Sequence, residues 1–120
     1  MPPKSGKVSS DLPLTEPGFL ILLALTEQPL HGYLIMQTIN TVFRTEFRMG
    51  PGTLYRTLQL QSKAGLIREV AGGNEDADDP RRRYYALTPC GRSVLHSELE
   101  RLQVLCKLAK ARIGASYADV

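Results

Sequence analysis

The residues best suited to chemistry in this chain are hydrogen-bond donors and cations gathered on one short segment, residues 51–63. Leu54 and Leu58 lie four residues apart, so in a helix they share one face, which we expect to be buried. Pro51 suits the first helical position, and Gly52 leaves the backbone bare beside it. The opposite face then presents Thr53, Arg56, Gln59, Leu60 and Lys63. Such a helix start suits phosphate oxygens and base edges, although an ordinary amphipathic helix explains the segment equally well.

The distribution of charge points to a polyanionic partner more strongly than the net charge does. The formal net charge is only +3, but four of the twelve acidic residues lie within residues 75–79. Residues 44–68 contain five arginine or lysine side chains and a single glutamate. A cationic zone of this kind favours a nucleic acid, although many proteins carry one without binding anything. The acids of residues 75–79 lack the spacing of a Ca²⁺-binding loop, so we interpret them as part of a solvated turn.

The sequence lacks the usual patterns of catalytic and metal sites. It contains no nucleophile with a nearby base, no G-x-S-x-G and no phosphate loop. Cys90 and Cys106 form no CxxC pair and have no histidine at metal-ligand spacing, which indicates two reduced thiols. His31 has no second histidine or carboxylate near it in the sequence. We therefore expect no enzyme activity, no metal and no cofactor.

Apolar runs in the chain are too short to suggest a membrane protein. The longest, residues 19–25, spans seven residues, whereas a helix needs ~20 to cross a bilayer. The first residues also lack the apolar segment of a secretory signal. We expect a cytoplasmic protein with no membrane partner.

Helix and turn signals divide the chain into three helices, a hairpin and a long final helix. Thr15 with Pro17 and Thr88 with Pro89 are typical helix starts, and Gly65 is placed to end a helix as a C′ glycine. Two helices joined by a brief link, the second presented outward, are typical of a helix-turn-helix. The predicted elements are helices over residues 15–25, 31–43, 51–64 and 89–113, and strands over residues 66–71 and 81–87.

The last predicted helix carries more apolar surface than a domain of this size can cover. At ~1.5 Å per residue, its roughly 25 residues form a rod of ~37 Å. The first helix is also apolar nearly all round. This surplus predicts a homodimer in which the last helix of one subunit packs against the first helix of the other. The predicted interface consists of Phe19, Leu22, Leu23, Leu95, Leu99, Leu102, Leu105, Cys106, Ala109 and Ile113.

Four motifs in the same order and spacing resemble the PadR-like winged helix-turn-helix transcriptional regulators. They are HGYLI at residues 31–35, GTLYRTL at 52–58, KAGLI at 63–67 and RRRYYALTPCG at 81–91. The resemblance covers roughly residues 14–113, and the single final helix is similar to that of the small PadR-like subfamily.

The resemblance implies a mainly α fold with a small β-hairpin, a winged helix-turn-helix domain plus a long C-terminal dimerisation helix. The expected regions are a flexible N-terminal arm at residues 1–13, the DNA-binding domain at 14–88, the dimerisation helix at 89–114 and a tail at 115–120. It also implies a homodimeric repressor of double-stranded, pseudo-palindromic operator DNA. A small hydrophobic or aromatic effector would bind at the dimer interface, although a dry interface is an equal alternative.

By the same analogy, the third helix would enter the major groove while flanking residues hold the DNA backbone. The implied DNA-binding residues are Tyr33, Pro51, Gly52, Thr53, Tyr55, Arg56, Gln59, Lys63, Arg81, Arg82 and Arg83. Two features depart from the family pattern. Gln61 stands where a core leucine is usual, with Leu60 on a polar position, and the tip of the hairpin is long and acidic.

The Gln61 position leaves two structural alternatives open. Either the third helix is rotated locally or Gln61 finds a buried partner. A second class of function also stays open, in which the same cationic face of a winged helix binds an acidic protein and not DNA.

Overall fold

Four helices and three short strands make up residues 14–71 and 83–114, the part of the chain that the computed structural model describes. A π-helical turn, Thr38–Val42, continues the second helix. The expected arm at 1–13, the hairpin tip and the tail at 115–120 lie outside the described residues. In chain order the elements are α1 (Glu16–Ala24), β1 (Leu30–His31), α2 (Gly32–Gln37), α3 (Pro51–Lys63), β2 (Ile67–Val70), β3 (Tyr84–Leu87) and α4 (Pro89–Ile113).

The two helix starts predicted from threonine and proline are confirmed. Thr15 precedes α1, and its hydroxyl oxygen accepts a hydrogen bond from the Gly18 N–H at 3.2 Å. Thr88 precedes α4 in the same way and accepts from the Gly91 N–H at 2.9 Å. Each side chain satisfies one of the N–H groups that a helix leaves without an internal partner.

The predicted end of the third helix at Gly65 is also confirmed. Gly65 has a φ of 81°, a left-handed conformation that glycine adopts without steric cost. The Leu66 N–H donates to the Gln61 carbonyl at 2.9 Å, and the Gly65 N–H donates to the Ser62 carbonyl at 3.1 Å. This pair of bonds is a Schellman motif, and it turns the chain directly from α3 into β2.

The sheet has three antiparallel strands in the order β1-β3-β2, so the prediction of a two-stranded hairpin was incomplete. β2 pairs with β3 in the register that places Ile67 opposite Leu87. β1 adds only two residues, with Leu30 opposite Tyr85. This short strand precedes α2 and thereby ties the start of the helix-turn-helix to the hairpin.

One core, built from all four helices and the hairpin, occupies the centre of the domain. Its fully buried side chains include Ile21, Ile35, Leu54 and Val94, which come from α1, α2, α3 and α4 respectively. Leu22 is also fully buried within its own chain. It has no surface left for a partner, so its assignment to the dimer interface is corrected to the core.

The predicted second helix, residues 31–43, is present in a different form. Regular α-helix ends at Gln37, and the backbone then widens so that the Phe43 N–H donates to the Thr38 carbonyl at 3.0 Å, five residues back. Thr41 bonds through its hydroxyl to the Gln37 carbonyl at 2.6 Å. These bonds carry the chain one further turn before it enters the link to α3.

Candidate nucleic-acid interface

α3 separates a buried face from an exposed face as its sequence predicts. Leu54 and Leu58 are wholly enclosed by the core. The exposed face includes every residue of α3 that was assigned to DNA binding: Pro51, Gly52, Thr53, Tyr55, Arg56, Gln59 and Lys63. The first turn of α3 contains no acidic side chain, so its partially positive backbone N–H groups are not neutralised locally. The arrangement offers donors and positive charge to solvent along one side of the helix.

Asn40 fixes the link between α2 and α3, a role that sequence reasoning missed. Its side-chain amide donates to the Met49 carbonyl at 3.0 Å, and its side-chain oxygen accepts from the Met49 N–H at 2.8 Å. The two bonds mimic a backbone pair and hold Met49, two residues before α3, against the π-helical turn that follows α2. Asn40 and Met49 are nine positions apart, so no short sequence motif predicts their contact. An asparagine near the end of a helix is nevertheless a common hydrogen-bond partner for backbone groups.

The link that leads to α3 contains two exposed arginines, Arg44 and Arg48. Arg44 has a φ of 58°, a left-handed conformation that is unusual for a residue with a side chain. The Arg48 guanidinium donates to the carbonyls of Thr45 at 2.7 Å and Phe47 at 3.2 Å. Both arginines are exposed, so they add positive charge beside α3 while the link keeps its shape.

Tyr55 and Tyr33 are brought to the same side of the domain, where β1 and α2 meet α3. Tyr33 is 60% exposed and Tyr55 is 47% exposed. The Tyr55 ring lies directly on Gly32, because a Cβ placed on Gly32 would stand 2.8 Å from the Tyr55 hydroxyl oxygen. The glycine therefore makes room for a tyrosine of α3 that reaches towards solvent. The motif HGY at residues 31–33 thus has a packing role in the interface.

Arg83 is the one of the three predicted arginines that lies within the described residues. Arg83 is exposed, and its guanidinium donates to the Glu69 carboxylate at 3.1 Å on the neighbouring strand. The two side chains are 56% and 50% exposed, so this ion pair contributes little stability. Arg83 can therefore exchange Glu69 for another anionic partner. Arg81 and Arg82 lie outside the described residues.

Gln61 takes the second of the two alternatives left open by the sequence, because it finds a buried partner. It is 5% exposed, and its amide nitrogen donates to the Gly18 carbonyl of α1 at 3.0 Å. α3 therefore keeps the orientation set by Leu54 and Leu58. Leu60, in turn, is 61% exposed on the flank of the helix.

α4 leaves the domain after its first three turns, at a buried carboxylate. Glu98 is enclosed, and the guanidinium of Arg101 donates to both of its oxygens, at 2.9 and 2.7 Å. These bonds from Arg101 hold the pKa of Glu98 below its usual range, although burial acts in the opposite direction. The backbone of Leu14 also bonds to this carboxylate, so Glu98 joins α4 to the chain just before α1.

Beyond Glu98, α4 carries the apolar residues predicted for a dimer interface on an uncovered surface. Leu95 and Phe19 pack at the edge of the core and Leu23 is partly exposed. The exposed set beyond Glu98 consists of Leu99, Leu102, Leu105, Cys106, Ala109 and Ile113. Gly91, Leu95 and Glu98 are buried on one face of α4. Since 3.6 residues make a turn, most of the exposed apolar side chains continue that same face further along the helix.

Membrane spans, metal sites and disulfides are all absent from the residues that the structure describes. Within residues 14–71 and 83–114, no helix is long and apolar enough to cross a membrane. In the same ranges, no three His, Cys, Asp or Glu side chains are placed to hold a metal ion. Cys90 and Cys106 are free thiols.

A helix-turn-helix with an exposed third helix, followed by an antiparallel hairpin, defines this domain as a winged helix. Comparison with known families then identifies the group within that class. The model of the Transcriptional regulator PadR-like family matches residues 21–97, more than half of the chain. The chain therefore belongs to the PadR-like family of transcriptional regulators.

Two relatives in sequence differ greatly in length. A transcriptional regulator of Mycobacterium tuberculosis is 31% identical over 87 residues, which cover 72% of this chain and 76% of that protein. An uncharacterised 37.1 kDa protein from a transposon of Streptomyces fradiae is 38% identical over 79 residues. That match covers 66% of this chain but only 21% of the Streptomyces protein, so the chain spans about a fifth of its length.

Solved structures of the family share the fold. A PadR family transcription regulator from Clostridium difficile has a TM-score of 0.70 and 27% identity, over 83% of this chain and all of that one. Bacillus subtilis PadR in complex with operator DNA has a TM-score of 0.59 and 24% identity, over 72% of this chain and 48% of that one. At that identity the second likeness supports the fold alone.

Proposed function

We propose that this protein is a sequence-specific, DNA-binding transcriptional regulator that acts as a homodimer, with α3 as the recognition helix. The observation that carries the proposal is the division of α3 into a wholly buried leucine face and an exposed face of donors and cations. Membership of a family of transcriptional regulators supports the same conclusion. The Bacillus subtilis PadR structure in complex with operator DNA shows that a protein of the same fold can bind an operator.

In the proposed complex, the residues of α3 divide between base edges and phosphates. Thr53, Tyr55, Arg56 and Gln59 enter the major groove, where arginine and glutamine side chains can read base edges in a bidentate manner. The backbone N–H groups of Gly52 and Thr53, which follow Pro51, lie at the positive end of the helix and suit a phosphate. The residues proposed to hold the DNA backbone at the flanks are Tyr33, Lys63, Arg81, Arg82 and Arg83.

The proposed dimer packs α4 of each copy against α1 of the other through the apolar stripe of α4, which consists of Leu99, Leu102, Leu105, Cys106, Ala109 and Ile113. Two α3 helices then face a roughly two-fold symmetric site. Exposed leucines at 99, 102 and 105 support this pairing, because together they are more apolar surface than a single subunit can cover. By analogy with the family, the regulator represses its target genes, and a small hydrophobic or aromatic effector at the dimer interface relieves repression.

The direct test is fluorescence anisotropy of the full chain on duplex DNA from its own upstream region, against scrambled duplex, across a salt series. We expect selective binding that weakens steeply with salt, because each phosphate contact releases counterions. Arg56→Ala should lose about 1–3 kcal/mol on the upstream duplex. Lys107→Ala removes one positive charge from exposed α4 and should leave binding unchanged.

Three other results would count against the proposal. Equal losses from both substitutions would mean that Arg56 acts only as a charge. Equal weak binding to both duplexes would leave a cationic surface without specificity. No binding to any duplex at low salt would favour a winged helix that recognises an acidic protein.

A further inference from the structure

We propose that a cleft between α1 and α3 binds a compact, uncharged, largely apolar molecule that donates one N–H or O–H hydrogen bond to Gln61. This site lies inside one subunit, beneath the outward face of α3. It is therefore separate from the effector site expected between subunits.

The buried amide of Gln61 has one half satisfied and one half not. Its nitrogen donates to the Gly18 carbonyl at 3.0 Å, whereas its oxygen is shielded from solvent and has no hydrogen-bond partner among the described residues. Exchanging the two amide atoms would set an oxygen against the Gly18 carbonyl, so this orientation is fixed by chemistry. A buried acceptor left without a donor is costly, and a small shift of the Gln61 side chain towards the cleft lets a ligand donor reach the oxygen and remove that cost.

Gln61 is one of the residues that line a cleft with the size and lining of a site for a small ligand. The volume of the cleft is about 200 Å³, and its walls come from α1, α3 and the turn that follows α3. Leu14, Leu60, Ala64 and Leu66 supply apolar surface, and Thr57 adds a hydroxyl. No charged side chain lines the cleft, which favours an uncharged occupant.

Leu60 connects the cleft to the outside of the domain. This side chain is 61% exposed on α3 and forms part of the cleft wall. A leucine so open to water gains by covering an apolar ligand. The departure of this chain from the family pattern at Leu60 and Gln61, a displaced leucine beside a buried glutamine, thus lies within one site.

Occupancy of the cleft has a consequence for α3, which rests on the proposed function. The bond from Gln61 to Gly18 is a direct polar link between α1 and α3. A ligand that shares the Gln61 amide changes how α3 sits on α1, and so changes how the recognition face meets DNA. Binding of the ligand itself does not depend on DNA.

Indole is a suitable probe because its ring is apolar and its single polar group is an N–H donor. The experiment is a titration of the full-length, ¹⁵N-labelled protein with indole, followed by NMR chemical shifts without DNA. We expect shifts confined to the backbone signals of residues around Gly18 and Gln61. Indene has the same ring size with a CH₂ in place of the N–H, and it should bind at least about tenfold more weakly.

Two substitutions separate the hydrogen bond from the shape of the cleft. Gln61→Leu removes the acceptor, keeps an apolar side chain of similar size, and should weaken indole binding about tenfold or more. Ser62→Ala changes an exposed residue of α3 that does not line the cleft and should leave indole binding unchanged. Circular dichroism and thermal melts of both variants establish that they fold.

Each alternative result overturns the proposal in a recognisable way. No shifts with indole would mean that an internal water alone satisfies Gln61. Equal affinity for indole and indene, or full binding by Gln61→Leu, would mean that the glutamine is not the anchor. Failure of the DNA-binding assay with retained indole binding would refute the proposed function and leave this site standing.

Discussion

The apolar stripe of α4 gives a sharp test of the proposed dimer, through Leu102 and Val104. Both residues lie beyond Glu98, where α4 no longer packs on its own domain. Two residues along an α-helix correspond to ~200° of rotation, so the two side chains point in nearly opposite directions. Leu102 lies on the stripe, and Val104 lies on the other side of the helix. Replacing each by alanine changes apolar surface on opposite faces of the same rod.

The expected size of the Leu102 effect follows from its exposed fraction in the subunit. Leu102 is 38% exposed, and full burial of a leucine side chain contributes ~1.5–3 kcal/mol. Covering the exposed part therefore contributes about 0.6–1.1 kcal/mol per copy. A symmetric dimer contains two copies, so Leu102→Ala should cost roughly 1–2 kcal/mol, or about 5- to 30-fold in the dimer dissociation constant.

Sedimentation equilibrium over a range of protein concentrations measures this constant directly. Val104 is 65% exposed, more than Leu102, yet Val104→Ala should leave the constant unchanged because its face stays in water. A wild-type protein that is monomeric at all concentrations would refute the reasoning. So would a Val104→Ala effect as large as that of Leu102→Ala, since exposure alone and not the stripe would then govern association.

Two further predictions concern packing beneath the interface and the buried carboxylate. Gly32→Ala would displace the Tyr55 ring, because the new Cβ would collide with it. We expect a loss of about 1 kcal/mol in DNA-binding free energy, measured by anisotropy. The same change in a Tyr55→Ala background should have no further effect, and a full additional loss would show that Gly32 acts independently. Glu98→Gln should lower the free energy of unfolding in urea at pH 7, because the lowered pKa of Glu98 stabilises the fold wherever the unfolded carboxyl is ionised. The deficit should shrink as pH falls from about 4.5 through the lowered pKa, and a deficit that stays constant to pH 3 would contradict the role of the ion pair with Arg101.

The parts of the fold that sequence predicts are those with local chemical causes. Thr15 and Thr88 cap helices because a hydroxyl can reach a nearby N–H whatever the tertiary structure. Gly65 ends α3 because it alone adopts the required φ without cost. The buried faces of α3 and of early α4 follow from the spacing of leucines along a helix.

The parts that sequence did not predict depend on contacts far along the chain. β1 is only two residues long and exists because β3, more than fifty positions away, pairs with it. The π-helical turn and the Asn40 bonds to Met49 likewise arise from how α2 must meet α3. Leu22 could not be separated from its interface neighbours, because a helix that is apolar all round does not reveal which side its own core covers.

Hydrogen bonds from Thr88 fasten the start of α4 to the turn that follows α3, so the two helices act as the two arms of a lever in each subunit. The Thr88 hydroxyl donates to the Gly65 carbonyl at 2.6 Å, and the Thr88 N–H donates to the Leu66 carbonyl at 3.1 Å. A Cβ on Gly91 would collide with that same Leu66 carbonyl oxygen, so the start of α4 is held tightly against the turn that follows α3. α3 therefore forms the short arm and the ~37 Å rod of α4 the long arm. In a dimer paired through α4, a change of ~5° in the crossing angle would move the far end of the rod by ~3 Å. The spacing of the two recognition helices can thus be reset between subunits while every contact within each one stays in place.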